Sequence, residues 1–401
     1  MVYLSYYIRK WVLFLEEKTK GKVNKKDIFR ALKSLLVLGI VLGGIGGMQY
    51  LRVREFKYYE TKSESELYSN LVGYKAGEDK LFVYSNDGAR ALDSSGSALW
   101  EVSYQLDNPD VAYCEKVASV ADIGGKSVYV VAENGIPYNY EVIYPIIKHE
   151  VAKQGVTAVL LDNGTEDFIQ LYDINGNLRV DINTKTKTDG IPIDIALSPD
   201  GKKLVTLYVT FQGNAMICKA TFYNADEVGK NYINNIVGQR SFGENLLAYD
   251  VQFINEDTLC VLLENGFALY RMTETPELIC EQNIPETIEE IICVENGLFV
   301  VKETTDKQKV LSFYNKKGKE KQVLKDVPEY ESIAASEDEI VFFSPQRVTA
   351  YRTNGTVKFS AVFAQTLEAV YPAGGNRYFL VNTGKVQTIK LTNKTSKEEK
   401  K

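Results

Sequence analysis

His149 is the only histidine in the chain, so any Ser-His-Asp relay would have to run through it. No G-x-S-x-G elbow or other nucleophile motif accompanies it. It lies in PIIKHEVAKQG, which reads as a strand, and a surface or strand-edge position is expected for it. A single histidine also excludes a His-rich metal site. The five cysteines are Cys114, Cys218, Cys260, Cys280 and Cys293, widely spaced and without a CxxC pair. Neither a disulfide framework nor a zinc site follows, and each thiol is read as filling a small apolar slot on a strand. Asp173 to Asn177, DINGN, imitates the opening of a calcium loop, but the twelfth position from Asp173 is Thr184 rather than glutamate. That segment reads as a turn, as do the NGT tripeptides at Asn163 and Asn354 despite their match to glycosylation sequons. No catalytic set, cofactor or metal is expected, and the chain is read as a non-enzyme.

The elements that would position any site fall into two classes. From Ser34 to Leu51 the chain runs SLLVLGIVLGGIGGMQYL without a charge. As a helix this spans roughly 27 Å, close to the hydrocarbon core of a bilayer. Nine Lys or Arg precede it against three acids, whereas Arg52 to Glu66 carries four cations and four glutamates. That bias predicts an uncleaved single-pass anchor in the cell membrane, N-terminus cytoplasmic and the remainder outside. Gly39, Gly43 and Gly47 form two overlapping GxxxG steps that would let two anchors pack as a homodimer. Residues 1–33 read as a basic cytoplasmic segment with an interfacial stretch at Val2 to Leu15.

Past Glu64 the pattern is short runs of β-branched and aromatic residues punctuated by turn glycines. One signature recurs: an apolar pair, polar residues, then glycine. It is seen in ALDSSGS, VVAENGI, LYDINGN, FYNKKGK and AYRTNGT, whose glycines are Gly96, Gly135, Gly176, Gly318 and Gly355. Partial copies lie at Phe222-Tyr223, Leu269-Tyr270 and Ile389-Lys390. Second positions of the pair are then separated by 39, 41, 51, 47, 44, 37 and 39 residues. That period is the size of a four-stranded propeller blade. ALSPDGKKLV, FINEDTLCVL, CVENGLFVV, ASEDEIVFF and PAGGNRYFLV recur between the copies and read as hairpins joining the first two strands of a blade.

The fold class expected is therefore all-β: a β-propeller of eight blades, with seven the alternative count, behind one transmembrane helix. Its parts are a cytoplasmic segment 1–33, the span 34–51, a linker and ring-closing strand 52–66, the propeller 67–391, and a disordered tail 392–401. The final unit reads as one strand short, and the segment from Glu55 to Leu71 is the candidate to close it.

ALDSSGSALW, ending at Trp100, resembles the repeat of quinoprotein-type propellers. The whole layout, with PDVAYCEKVASVADIGGKSVYVV and IPIDIALSPDGKKLV, is similar to an uncharacterised family of low-GC Gram-positive bacteria. Its members are single-pass, membrane-anchored propellers classed as a domain of unknown function. The resemblance implies fold and topology and no activity. Quinone enzymes of related fold sandwich their cofactor with a tryptophan. Here Trp11 precedes the span and Trp100 is expected in the core.

A net charge of −6 and the lack of a basic stripe exclude nucleic acid as partner. The partners expected are the bilayer, through the helix, and an envelope protein or peptide bound by the ring. A propeller enzyme, cofactor-dependent or using channel carboxylates, and a signalling receptor are the alternative readings. The 26 tyrosines are read as capping blade edges and packing between sheets.

Overall fold

The computed structural model describes residues 53–77 and 79–393, together with residues 39 and 44. The expected span, with Gly43 and Gly47, lies outside the described residues, as do 1–33 and 394–401; Gly39 is helical and exposed. Among the described residues no helix is long and apolar enough to cross a membrane. The chain divides into a unit at Met1–Arg54 and a unit at Glu55–Lys401, and the second holds the strands.

Among the described residues, thirty-two strands form eight four-stranded antiparallel sheets, an eight-bladed propeller. In blades 1 to 7 the four strands follow one another from the channel outward. Their innermost strands are Leu71–Gly77, Pro109–Cys114, Ile146–Val151, Ile191–Leu197, Ala248–Phe253, Thr287–Val294 and Ser332–Ala335. Blade 8 takes its inner three strands, Leu367–Pro372, Arg377–Asn382 and Lys385–Thr392, from the end of the chain. Its outermost strand, Tyr58–Glu66, comes from the beginning and pairs antiparallel with Lys385–Thr392. This join removes two sheet edges that would otherwise be open to pairing with other chains.

The core lies between blades. Phe82 and Trp100 of blade 1 pack with Val111 and Val120 of blade 2, and Trp100 is buried. Phe222 of blade 4 meets Tyr270 of blade 5 at 5.1 Å between ring centres. A blade has two faces to cover, so its second strand is mostly apolar and buried, as in Thr258–Leu263. Stacking each sheet against both neighbours is what buries those faces.

The recurring signature has a local cause. Its apolar pair coincides with a register shift before the outermost strand, at Ala91/Leu92, Leu171/Tyr172, Phe222/Tyr223, Leu269/Tyr270 and Ala350/Tyr351. The glycine that follows has positive φ in all five full copies, between 71° and 84°. A side chain there would also strike the outermost strand of the preceding blade. A Cβ on Gly176 would lie 2.6 Å from Tyr140 Cβ, one on Gly135 would lie 3.1 Å from Trp100 Cβ, and one on Gly355 would meet the Val323 carbonyl. Blade 5 reverses the arrangement: its turn carries Pro276, and the facing strand supplies Gly238. The third-to-fourth turns of blades 1 to 3 and 5 to 7 are thus clamped onto their predecessors.

Candidate functional site at the channel mouth

The crossovers between blades and the turns joining second to third strands share one face of the ring, here the crossover face. The first-to-second and third-to-fourth turns share the other, the turn face. Every innermost strand therefore starts at the crossover face, and its first residues surround the mouth of the channel there.

Six of these eight strands carry a β-bulge at that start. Register jumps between Leu71 and Gly73, Ile146 and Lys148, Pro192 and Asp194, Ala248 and Asp250, Ile288 and Glu290, and Leu367 and Ala369. The skipped residues are Val72, Ile147, Ile193, Tyr249, Glu289 and Glu368, and all six are exposed. A bulge re-aims the extra residue out of the sheet. Repeated around the ring, it brings four apolar residues and two acidic ones to the crossover face, where Glu289 is taken by Lys309 and Tyr330 and Glu368 by Thr383.

Just below lies a band of ionisable residues on the same strands. Lys148 of blade 3 donates to Asp194 of blade 4. Asp194 also accepts from the amide of Val251 in blade 5 at 2.8 Å. Lys75 of blade 1 donates to the Val111 carbonyl of blade 2 at 2.7 Å. These bonds join blade 1 to blade 2, and blades 3, 4 and 5 to one another. Burial pushes the Asp194 carboxyl up to about 6, despite Lys148 beside it. Burial works against the Lys148 ammonium, but Asp194 keeps its pKa above the ordinary lysine value. Glu150 retains partial exposure, yet burial pushes its carboxyl up to about 7, with Lys148 and Lys75 opposing. Such shifts mark candidate functional positions without assigning a function.

His149 corrects the expectation of a surface histidine. It is 1 % exposed. The bulge at Ile147 shifts the alternation of Ile146–Val151, so that His149 turns toward blade 2. There its Nδ1 lies 2.9 Å from Ser119 Oγ and its Nε2 lies 3.5 Å from Asp110 Oδ2. The tautomer with its proton on Nε2 turns that proton toward the Asp110 carboxylate and lets Nδ1 accept the Ser119 hydroxyl. Burial raises the Asp110 carboxyl, but His149 and Lys75 outweigh it and hold the pKa below the ordinary value. A serine, a histidine and an aspartate thus do converge. Ser119, however, is sealed at 0 % exposure, so no substrate carbonyl reaches its oxygen. The accessible end is the carboxylate, 43 % exposed, the reverse of a hydrolase. The trio works as a pin between blades 2 and 3.

Gly96, Gly135, Gly176, Gly318 and Gly355 sit in third-to-fourth turns on the turn face, away from this mouth. In DINGN, Asp173 accepts from the amides of Asn175 and Asn177 and from Arg179. Those bonds, Asn177 first, hold its carboxyl down at about 2. It is an Asx turn with every oxygen occupied. Among the described residues no group of three or more His, Cys, Asp or Glu is placed to hold a metal. Sequence reading passed over Lys75, Asp110, Lys148, Glu150, Asp194 and Asp250. Their one signal is an ionisable residue inside an otherwise apolar strand, as in IIKHEV, IPIDIAL and AYDVQF.

Residues 52–391, from just ahead of the closing strand to the last strand of the ring, match a family of unknown function, DUF5711. The chain belongs to that family. No curated protein sequence matches this DUF5711 chain. Solved structures match its fold. BamB from Moraxella catarrhalis is 15 % identical, with a TM-score of 0.50 over 83 % of this chain and 100 % of that one. Apo AztD from Citrobacter koseri is 13 % identical, TM-score 0.49, covering 74 % and 86 % of the two chains. The Cps50 (Swd1) β-propeller domain from Myceliophteria thermophila is 10 % identical, TM-score 0.46, covering 84 % and 100 %. At 15 % identity the likeness of this DUF5711 propeller to BamB shows the fold alone.

Proposed function

We propose that this DUF5711 protein is a membrane-anchored, extracytoplasmic propeller that acts as a non-enzymatic binding or assembly module at the cell envelope. The observation carrying this reading is the sealed Ser119. The chain's one Ser-His-Asp convergence joins two blades and offers no nucleophile to a substrate. The other close charge contacts among the innermost strands likewise run from blade to blade. What is left for a partner is a rigid ring with a shaped mouth. Anchoring is supported by the uncharged run at Ser34 to Leu51 and the basic excess before it.

Photoreactive residues placed at Ile193 on the crossover face and at Asn175 and Asn354 on the turn face, in intact cells, test this. A discrete adduct with an envelope protein or peptide is the expected result. No adduct at any of the three sites refutes the binding-module reading. External protease that leaves the propeller untouched in intact cells refutes the topology. An enzyme reading keeps one observation in its favour, the Glu150 carboxyl near 7, where a general acid or base works best. Turnover of an envelope glycan that disappears in Glu150→Gln would establish it in place of the first.

A further inference from the structure

The mouth on the crossover face differs around its circumference. In blades 3, 4 and 5 the bulged residues are Ile147, Ile193 and Tyr249, exposed at 43 %, 38 % and 43 %. Ile191, 50 % exposed, begins the same blade 4 strand. The strand starts that carry them are adjacent around the ring. Asp194, one residue after Ile193, is held from one side by Lys148, next to Ile147, and from the other by Val251, two residues after Tyr249. Three adjacent blades therefore turn an apolar rim to solvent where no intramolecular contact requires it. Isolated exposed apolar residues need no explanation, but a contiguous group held by a repeated bulge does.

Directly beneath this rim the charge is unbalanced. Asp110 of blade 2, Glu150, Asp194 and Asp250 of blades 3 to 5 and Glu290 of blade 6 bring five carboxylates to these strands, against the ammonium groups of Lys75 and Lys148 and with His149 beside Asp110. Lys148 is taken by Asp194, and Lys75 by a carbonyl. Asp250 accepts only the Gln252 amide, at 2.9 Å, and neither Glu150 nor Glu290 joins an ion pair among the described residues. Burial first, then Asp250, Cys260 and Cys293, hold the Tyr249 phenol's pKa up at about 12, with Glu290 the smallest contributor. Burial also raises the Glu290 carboxyl, with Glu289 beside it adding to the effect. Crowded carboxylates without counter-ions favour an incoming cation.

We propose that the crossover-face mouth of blades 3 to 5 is a docking site for a partner polypeptide segment carrying lysine or arginine among apolar side chains. The apolar residues cover the rim of Ile147, Ile191, Ile193 and Tyr249, and the cationic groups reach Glu150, Asp250 and Glu290 beneath it. This rests on the binding-module reading and names its site and the chemistry of its partner. Three blades' breadth of apolar surface exceeds what a small amine covers, and the acidic floor repels nucleic acid and anionic lipid. Occupation lowers the Glu150 pKa, so docking releases a proton near neutral pH. The groups facing Glu150 are Lys148, Lys75, Asp194 and Asp110, with His149 adjoining on its own strand.

The test uses the full-length chain in mild detergent and short fluorescein-labelled peptides read by anisotropy at physiological salt. The probe contains leucines and lysines; the controls exchange lysine for glutamate, or leucine for serine. The leucine–lysine probe is expected to bind, and neither control. Glu150→Gln combined with Asp250→Asn should weaken it about tenfold, and Ile147→Ser with Ile193→Ser comparably. Glu277→Gln, on a remote exposed carboxylate, should leave it unchanged. Wild-type binding should also be tighter at pH 8 than at pH 5.5. Urea midpoints confirm that each variant is folded, and every changed side chain is at least partly exposed. Equal affinity in wild type and both mouth variants, equal binding of the controls, or no probe binding at all overturns the site. A cellular adduct through Asn175 or Asn354 would then still leave a binding module, using its other face.

Discussion

Replacing Glu150 with glutamine asks how much burial in the channel costs a carboxylate that the channel does not pair. Burial raises this carboxyl from 4.5 to about 7. Between those values the folded state keeps a proton that the unfolded chain has released. Stability therefore falls as pH rises through this window and levels off above it. The penalty is about 3 kcal/mol at pH 8 and under about 1 kcal/mol at pH 5, at about 1.4 kcal/mol per pKa unit. Glutamine keeps the shape and cannot ionise, so E150Q should gain about 2–3 kcal/mol over wild type between pH 5 and pH 8. Urea unfolding across that range reads the difference directly. An advantage that stays flat with pH, or an E150Q chain less stable than wild type at pH 8, refutes the buried-carboxylate account. The same variant should bind the cationic probe less well, trading affinity for stability.

Ser119→Ala leaves His149 Nδ1 buried without its partner and should cost about 1–3 kcal/mol, whereas Asp110→Asn, at the exposed end, should cost less than about 1 kcal/mol. Urea midpoints giving the reverse order would show that Ser119 is not the sealed end. Gly355→Ala meets both positive φ and the Val323 carbonyl, whereas Gly164→Ala meets only positive φ. The second should lose about 1 kcal/mol and the first clearly more; equal losses would show that the turn does not press on its neighbour. Deleting Tyr58–Glu66 exposes the edge of Lys385–Thr392 and should turn the purified protein into oligomers by light scattering. A deletion variant that stays monodisperse and folded would remove the closing role of that strand.

The blade count was legible because in five blades the third-to-fourth turn needs a residue that tolerates positive φ and lets the neighbouring strand approach. Glycine meets both needs and leaves a mark in the sequence. The partial copies fade for reasons the structure supplies. Blade 4 replaces its glycine with a longer loop in which Asn234 and Asn235 take φ of 54° and 60°. Blade 5 moves the small residue to the facing strand, as Gly238. Blade 8 has no such turn, since its last strand arrives from the N-terminus. The mouth was not legible. Lys148 and Asp194 are 46 residues apart, and Asp194 and Val251 are 57 apart. No local pattern announces such pairs. His149 was misplaced because strict alternation fails one residue after a bulge, and a bulge in IIKHEV has no turn residue to betray it.

The join in blade 8 also sets a timetable. Glu64 and Lys385, which meet across it, are 321 residues apart. At ordinary synthesis rates the first strand emerges roughly 15–60 s before its partner exists. Until then Tyr58–Glu66 has nothing to pair with, and the turn at Gly96, which packs on Ser63, cannot seat either. Blades 2 to 7 are complete on the ribosome before the ring can shut. A cell making many copies on one message thus holds several open rings side by side, each with a waiting strand and a vacant edge. Exchange of that strand between neighbouring nascent chains is the characteristic error this architecture invites, and its product would be a dimer made of two correctly folded rings.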